Sequence, residues 1–346
     1  MDSLPRRSLL RLGAGAATLP FMPAIARAQA GGRCVVSTWG GDYGNLLTAN
    51  IETPLLAPKG IECVQDAGTE PARIAKSIAQ RRLPRGNVDV ICLQAPAAYD
   101  LEAAGMLEPL DESKVPNLKY VLPSLTSAQS IPHIFSPQVI AYNPERVTTP
   151  PTTYSDLESD KFRGKVGILD NSYIWVAMAA ALKYKGDVGA IDAVKPELER
   201  LVKSGAHAYT STEAFAPAIK SGEIDVGLVW HARVLFWQKG GLALRSAFPT
   251  EGCLTYVSSM GVLKNAPNKA AAFAYLNAAL EPAAQRGFAA SMGYLPTVTN
   301  APLEGETAQR LALPEPAPKL IPANYERLAA TRDDMNDWWR RLLDRR

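Results

Sequence analysis

The chain has 346 residues, 47% of them hydrophobic and 21% charged. That is about twice the size of one ordinary domain and excludes a disordered or collagen-like chain. The net charge of +3 arises from Arg6, Arg7, Arg11 and Arg27 in the first thirty positions, where Asp2 is the single acid, and from Gly31 onward the two signs balance, so composition gives no chain-wide basic surface for nucleic acid.

The N-terminal segment reads as an export signal. Arg6-Arg7-Ser8-Leu9-Leu10-Arg11 is a paired-arginine start, Leu12 to Ala26 is mildly apolar, and Ala28-Gln29-Ala30 is a small-x-small cleavage site before Gly31. This order looks like a twin-arginine signal read by the twin-arginine export machinery, with Sec export as the other route. It departs from the usual pattern at Pro5, Leu9 and Arg11. Gly13, Gly15, Pro20 and Pro23 interrupt the apolar stretch, and no later run reaches the ~20 residues a membrane span needs. The expectation is a protein cleaved after Ala30, soluble and periplasmic.

Beyond Gly31, strand and helix signals alternate. Cys34 to Thr38, Ile61 to Gln65 and Val88 to Leu93 read as three strands, each carrying one cysteine. A thiol on a buried strand is commonly a small hydrophobe. Cys253 stands apart and no short-spaced Cys pair or Cys/His cluster suits a metal; a strand-to-strand disulfide stays open, because sequence does not supply a Cα separation. Leu46, Leu47 and Ile51 mark the first helix. The second has Pro71 in its first turn and Ile74 and Ile78 on one face. Such an alternation predicts a parallel sheet with right-handed crossovers. Ligands in open sheets bind beyond the carboxyl ends of the strands, which selects Trp39 to Tyr43, Asp66 to Thr69 and Gln94 to Ala97.

A second set of elements follows. Lys165 to Leu169 is a strand ending in Asp170-Asn171-Ser172-Tyr173, and an Ala-rich helix continues through Trp175, Met178 and Leu182. After the short apolar stretch Ala206 to Tyr209, Thr210-Ser211-Thr212 supplies a helix cap. Ile224 to Val229 is a strand ending in Trp230-His231-Ala232-Arg233, Tyr256 to Leu263 is extended, and Asn268 caps a helix with Phe273, Leu276 and Leu280 on one side. Met335, Trp338, Trp339, Leu342 and Leu343 have the spacing of a docked helical face.

A series of fragments in order carries a family resemblance. They are Ser37-Thr38-Trp39-Gly40-Gly41-Asp42-Tyr43, Ala104-Gly105-Met106-Leu107-Glu108-Pro109-Leu110-Asp111, Ile131-Pro132-His133 leading to Ala141-Tyr142-Asn143, Tyr154-Ser155-Asp156-Leu157, Phe162-Arg163-Gly164-Lys165-Val166, Asp225-Val226-Gly227-Leu228-Val229-Trp230, and Met292-Gly293-Tyr294-Leu295-Pro296. Over nearly the whole mature chain they resemble the periplasmic solute-binding proteins of ABC importers, of the spermidine/putrescine-binding type. The resemblance implies an α/β fold of two lobes (periplasmic-binding-protein type II), each containing a parallel sheet, joined by crossing hinge strands and closing over a ligand. The expected division is residues 31–138 with 257–303 against 139–256 with 304–346. Implied partners are a small-molecule ligand and an inner-membrane ABC permease, with a monomeric chain, no cofactor and no nucleic acid.

The same resemblance tests the ligand. Polyamine binders of this type carry acids at positions that match Asn171, Ile174 and Ser258 here. Losing them removes the pairing that offsets desolvation of a polycation. What remains is an aromatic wall, Trp39, Tyr43, Tyr173, Trp175, Tyr209, Trp230 and Tyr256, with one cation, Arg233, at a position that pairs with the ligand carboxylate in relatives binding γ-aminobutyrate. A guanidinium suits a carboxylate by its planar pair of donors. The candidate ligand-binding residues are therefore Trp39, Gly40, Asp42, Tyr43, Asn171, Tyr173, Ser211, Trp230, Arg233, Tyr256 and Ser258. Asp42, Asp66 or Asp170 could hold an amine, so ω-amino acids and organic acids lead and polyamines are the alternative.

Catalytic motifs are not evident. His133, His207 and His231 are the three histidines, none with a partner at metal-ligand spacing, and no nucleophile elbow or phosphate-binding glycine loop occurs. Gly40-Gly41 reads as a close-approach turn. The reading is a non-catalytic receptor, against a secreted small-molecule enzyme on the same fold using His133 or Asp42 as base.

Overall fold

The computed structural model describes residues 32–169 and 173–345. The segment expected to be an export signal and residues Asp170, Asn171 and Ser172 lie outside the described residues. Strands β1 (Arg33–Thr38), β2 (Glu62–Ala67) and β3 (Val90–Gln94) alternate with helices α1 (Gly41–Leu47), α2 (Glu70–Gln80) and α3 (Ala95–Ala103), and lead to a long strand, β4 (Ser130–Tyr142). The alternation resumes with β5 (Val166–Leu169), α4 (Tyr173–Lys185), α5 (Lys195–Lys203), β6 (His207–Tyr209), α6 (Thr212–Ser221), β7 (Val226–Trp230) and α7 (His231–Lys239). After β8 (Arg245–Ala247) a second long strand, β9 (Cys253–Val262), returns, followed by α8 (Lys269–Ala279), α9 (Pro282–Met292), β10 (Leu295–Pro296), α10 (Gly305–Leu311), β11 (Leu320–Ile321) and α11 (Tyr325–Leu343).

The strand order is β2-β1-β3-β9-β4-β7-β5-β6. β1 pairs in parallel with β2 and β3, and β5 in parallel with β6 and β7, as the alternation predicts. The sheets are nevertheless mixed. β9 runs antiparallel to β3, and β4 antiparallel to both β7 and β9. The reason is connectivity: β4 and β9 pass between lobes and enter their neighbours' sheets from outside, without the crossover helix that enforces parallel pairing. Two large cores flank this ribbon. One gathers residues 34–134 and 260–301 with Ala232, and the other residues 140–254 and 321–342.

Local physics explains the details that bear on the site. Helix α4 is apolar almost all round and buries Tyr173, Trp175, Val176, Met178 and three alanines, as a core helix must. Helix α2 differs from its expected packing: Arg73 and Ser77 are buried, whereas Ile78 is exposed. The Arg73 guanidinium reaches under the sheet and donates to the carbonyls of Gly68, Ser37 and Cys92, and satisfying those groups sets the helix rotation. Asp89 is fully buried and accepts from the backbone N–H groups of Val35 and Asn268, tying β1 to the entry of α8. Asn268 thus precedes α8 as expected, yet without a side-chain cap bond. The four cysteines are free thiols, with Cys34 opposite Cys63 in the β1–β2 register. Burial pushes the Cys63 and Cys92 thiols up to about 12.

Candidate functional site

The turn after β1 builds one wall. Gly40 has φ 73°, and a Cβ there would lie 2.9 Å from that of Ala67, so the chain passes close beneath β2 where a side chain would collide. This turn sets Trp39 against Tyr43 edge to face, with ring centroids 5.0 Å apart, and against Arg73, whose guanidinium carbon lies 4.8 Å from the Trp39 ring centre. Tyr43 is held from behind: its hydroxyl lies 2.8 Å from His133 Nδ1, and both rings pack on Phe288. His133 is fully buried and burial presses its pKa down to about 3, so it positions Tyr43 as a neutral ring. Burial also raises the Tyr43 phenol well above its ordinary value.

The crossing strands supply the floor. Trp175, Trp230, Tyr256 and Tyr294 form a chain of ring contacts, with successive centroids 4.8, 5.1 and 5.9 Å apart. It runs from α4 and the end of β7 across β9 to the segment after α9. Ser136 Oγ accepts from the Ala232 N–H, fastening the start of α7 to the β4 crossing and fixing where Arg233 leaves the helix. Arg233 and Tyr294 line one cavity; burial raises the Tyr294 phenol's pKa and the guanidinium opposes the rise. A cavity of about 450 Å³ opens between these elements, lined by Asp42, Tyr43, Asn45 and Leu46 of α1, Arg233 and Phe236 of α7, and Ser291, Met292 and Tyr294.

Of the residues selected from sequence, the structure brings Asp42, Tyr43 and Arg233 together on this cavity, with Trp39, Gly40, Trp230, Tyr256 and Ser258 in the shell around it. Asp42 and Arg233 place opposite charges on one cavity wall each, a layout that fits a small zwitterion. Ser258 is buried beside Tyr43, and its hydroxyl has no hydrogen-bond partner of good geometry among the described residues. Tyr173 goes elsewhere: it stacks on Trp339 at 4.9 Å and donates to Asn336 Oδ1, serving the contact between α4 and α11. Ser211 is the N-cap of α6, accepting from Ala214 N–H. Ile174 is half-buried against the second core. Asp66 is paired with Lys76 at 2.7 Å. Asn171 and Asp170 lie outside the described residues.

Tyr294, Arg73 and Glu70 were not selected from sequence. Tyr294 stands in one of the family fragments, and its signal was the positive-φ glycine before it, Gly293, which ends α9. Arg73 had no signal, since an arginine in an amphipathic helix normally faces water. Glu70 is half-buried at the start of α2 and accepts from the Gln94 N–H at 2.6 Å; burial raises its carboxyl, with that bond and Arg73 acting against it. Among the described residues there is no group of three or more metal-ligating side chains, and no helix is long and apolar enough to cross a membrane.

The family described as bacterial extracellular solute-binding protein matches residues 60–315. The spermidine/putrescine-binding periplasmic protein of Escherichia coli is 26% identical over 240 residues, which is 65% of this chain and 66%, just under two thirds, of that relative. A spermidine/putrescine-binding periplasmic protein of Haemophilus influenzae is 28% identical over 60% of this chain and 61% of its own length. Among solved structures, an extracellular solute-binding protein from Bordetella parapertussis superimposes with TM-score 0.77 at 21% identity, covering 89% of this chain and 98% of that one. A structure described as a GABA receptor gives 0.76 at 24% identity over 90% and 97%. These neighbours share the two-lobed type II fold.

Proposed function

The chain belongs to the bacterial extracellular solute-binding proteins, and from that premise we propose that it is the periplasmic receptor of an ABC importer for a small carboxylate-bearing solute, an ω-amino acid or organic acid. The observation that carries this reading is the cavity that gathers Asp42, Tyr43, Arg233 and Tyr294. Arg233 would take the carboxylate, Asp42 an amine at the other end, and the aromatic chain from Trp230 to Tyr294 the intervening methylenes. In this reading the lobes divide near residues 138/139, 256/257 and 303/304. The precursor is exported on its twin-arginine signal and cleaved after Ala30, and the receptor acts as a monomer that hands its solute to a membrane permease. The GABA receptor neighbour supports the ligand class. The spermidine/putrescine-binding relatives support polyamines as the second reading, against which stand Ile174 and Ser258 at positions where those binders carry acids.

Calorimetry with γ-aminobutyrate, longer ω-amino acids, dicarboxylates, putrescine and spermidine separates the two. Arg233→Ala should cost about 2–4 kcal/mol, roughly 30- to 1000-fold in Kd, by leaving a desolvated carboxylate unpaired. Arg233→Lys should recover only part, having lost the paired donors. Tight putrescine or spermidine binding that survives Arg233→Ala would establish the polyamine reading instead. Mass spectrometry of the recovered ligand distinguishes a receptor, which returns it unchanged, from an enzyme.

A further inference from the structure

A second cavity, of about 260 Å³, lies on the opposite face of the β4–β9 ribbon from the cleft. Strand register fixes this. Tyr256 and Ser258 pair with Ser136 and Ile134 and turn toward Trp230 and Tyr43. The residues between them alternate to the other face. Those residues, Thr255, Val257 and Ser259, line the second cavity together with Phe135 and Pro132, the register partners of Val257 and Ser259 on either side of the irregularity in β4. The remaining walls come from both lobes: Ala98 and Tyr99 of α3 with the segment from Leu122 to Ser130 on one side, and Leu320 and Tyr325 on the other. The Tyr99 and Tyr325 rings are 6.3 Å apart, and farther along α11 Arg332 is ion-paired with Asp100 of α3.

We propose that this cavity is a second small-molecule site, for an uncharged aromatic compound of about the size of indole, and that its occupation favours closure of the ligand cleft. Ten of the nineteen lining residues are alanine, leucine, valine or aromatic, two are proline, and six serines and threonines add hydroxyls that a ring N–H can meet. Its one charged residue, Glu102, accepts at a single oxygen from the hydroxyls of Ser127 and Ser130 at 2.6 and 2.7 Å, and no basic side chain lines the cavity, so nothing there pairs with an anionic ligand. A dry cavity of roughly 150 Å³ accepts benzene, so the larger space here admits a fused ring. Coupling follows from placement. With the ribbon as hinge, a rotation that opens the cleft brings α3 and the 320–325 segment together behind it, and a molecule wedged between them resists that approach. The inference needs the two-lobed fold and is independent of the solute proposed for the cleft.

The test uses the mature protein, with indole as probe and no cleft ligand. Saturation-transfer NMR should detect indole binding, and small-angle scattering should give a smaller radius of gyration at saturation. Ala98→Phe fills the cavity from α3 and should abolish binding while compacting the protein by itself. Ser124→Trp, at an exposed residue of the rim, should block binding by a change that does not burden the core. Failure of the wild-type protein to bind indole, binding that survives in either folded variant, as it would if indole entered the aromatic cleft, or binding without compaction overturns the proposal.

Discussion

His133 meets Tyr43 where both side chains are buried. Its unfolded form takes up a proton as pH falls through its ordinary value near 6.5, whereas burial holds the folded ring neutral until about 3. The unfolded chain therefore binds more protons across that window, and stability must fall as pH drops from about 6.5 toward 3. His231, bonded to Ser246 and pressed to about 4 by burial, acts in the same direction. Each histidine contributes a slope of up to about 1.4 kcal/mol per pH unit. His133→Gln should keep an acceptor near Tyr43 and lose one proton's worth of this slope. Urea unfolding at pH 7.5, 6 and 5 measures it, and parallel pH dependence in the two proteins would show that His133 carries no such penalty. That Tyr43 and Arg233 come near one cavity was legible from motif position, but the residues that aim them were not. His133 and Arg73 act through buried contacts across 90 and more residues or through backbone carbonyls, and neither leaves a periodic trace in the sequence.

At the scale of elements, the sequence signals located strands and helices well where apolar periodicity was strong, as in β1, β7 and α11. They were weaker where an element is defined by its partners. β4 carries Pro132 and Pro137, and its 13 residues are strand because β9, β7, β8 and β10 all pair with it. Between β5 and β7 the fit is unusually close. A Cβ on Gly227 would sit 2.4 Å from the Gly167 carbonyl oxygen and 2.6 Å from the Phe215 ring, which covers both glycines from α6. Gly227→Ala should therefore destabilise the second lobe by overpacking, about 1–3 kcal/mol. Phe215→Leu alone loses packing, but placed on Gly227→Ala it should relieve the ring contact, so the double variant should be less destabilised than the sum of the singles. Urea denaturation of the four proteins decides it, and strict additivity would place the strain in the strand pairing instead.

The whole molecule was legible as two lobes because fragments from both lobes occur in family order. The space behind the hinge was not, because which side chains face it depends on the register shift near His133 and on α11 returning to α3. The pair Asp100–Arg332 and the Tyr99–Tyr325 contact tie the lobes on the side away from the cleft. If the ribbon acts as the proposed hinge, anything that draws its back together holds the front apart, and this clasp should bias the ligand-free protein toward an open cleft. The pair is about one third exposed on each side, 32% and 34%, so its contribution is limited to about 0.2–1 kcal/mol. Asp100→Asn should then shift the ligand-free protein toward closure by no more than roughly fivefold, read as a shorter mean distance between spin labels attached to the two lobes. Because the pair is partly exposed, 1 M salt should move the wild-type distance in the same direction and leave that of Asp100→Asn nearly unchanged. A longer distance in Asp100→Asn, or a salt response equal in both proteins, would mean that the clasp holds the lobes closed or does not govern them.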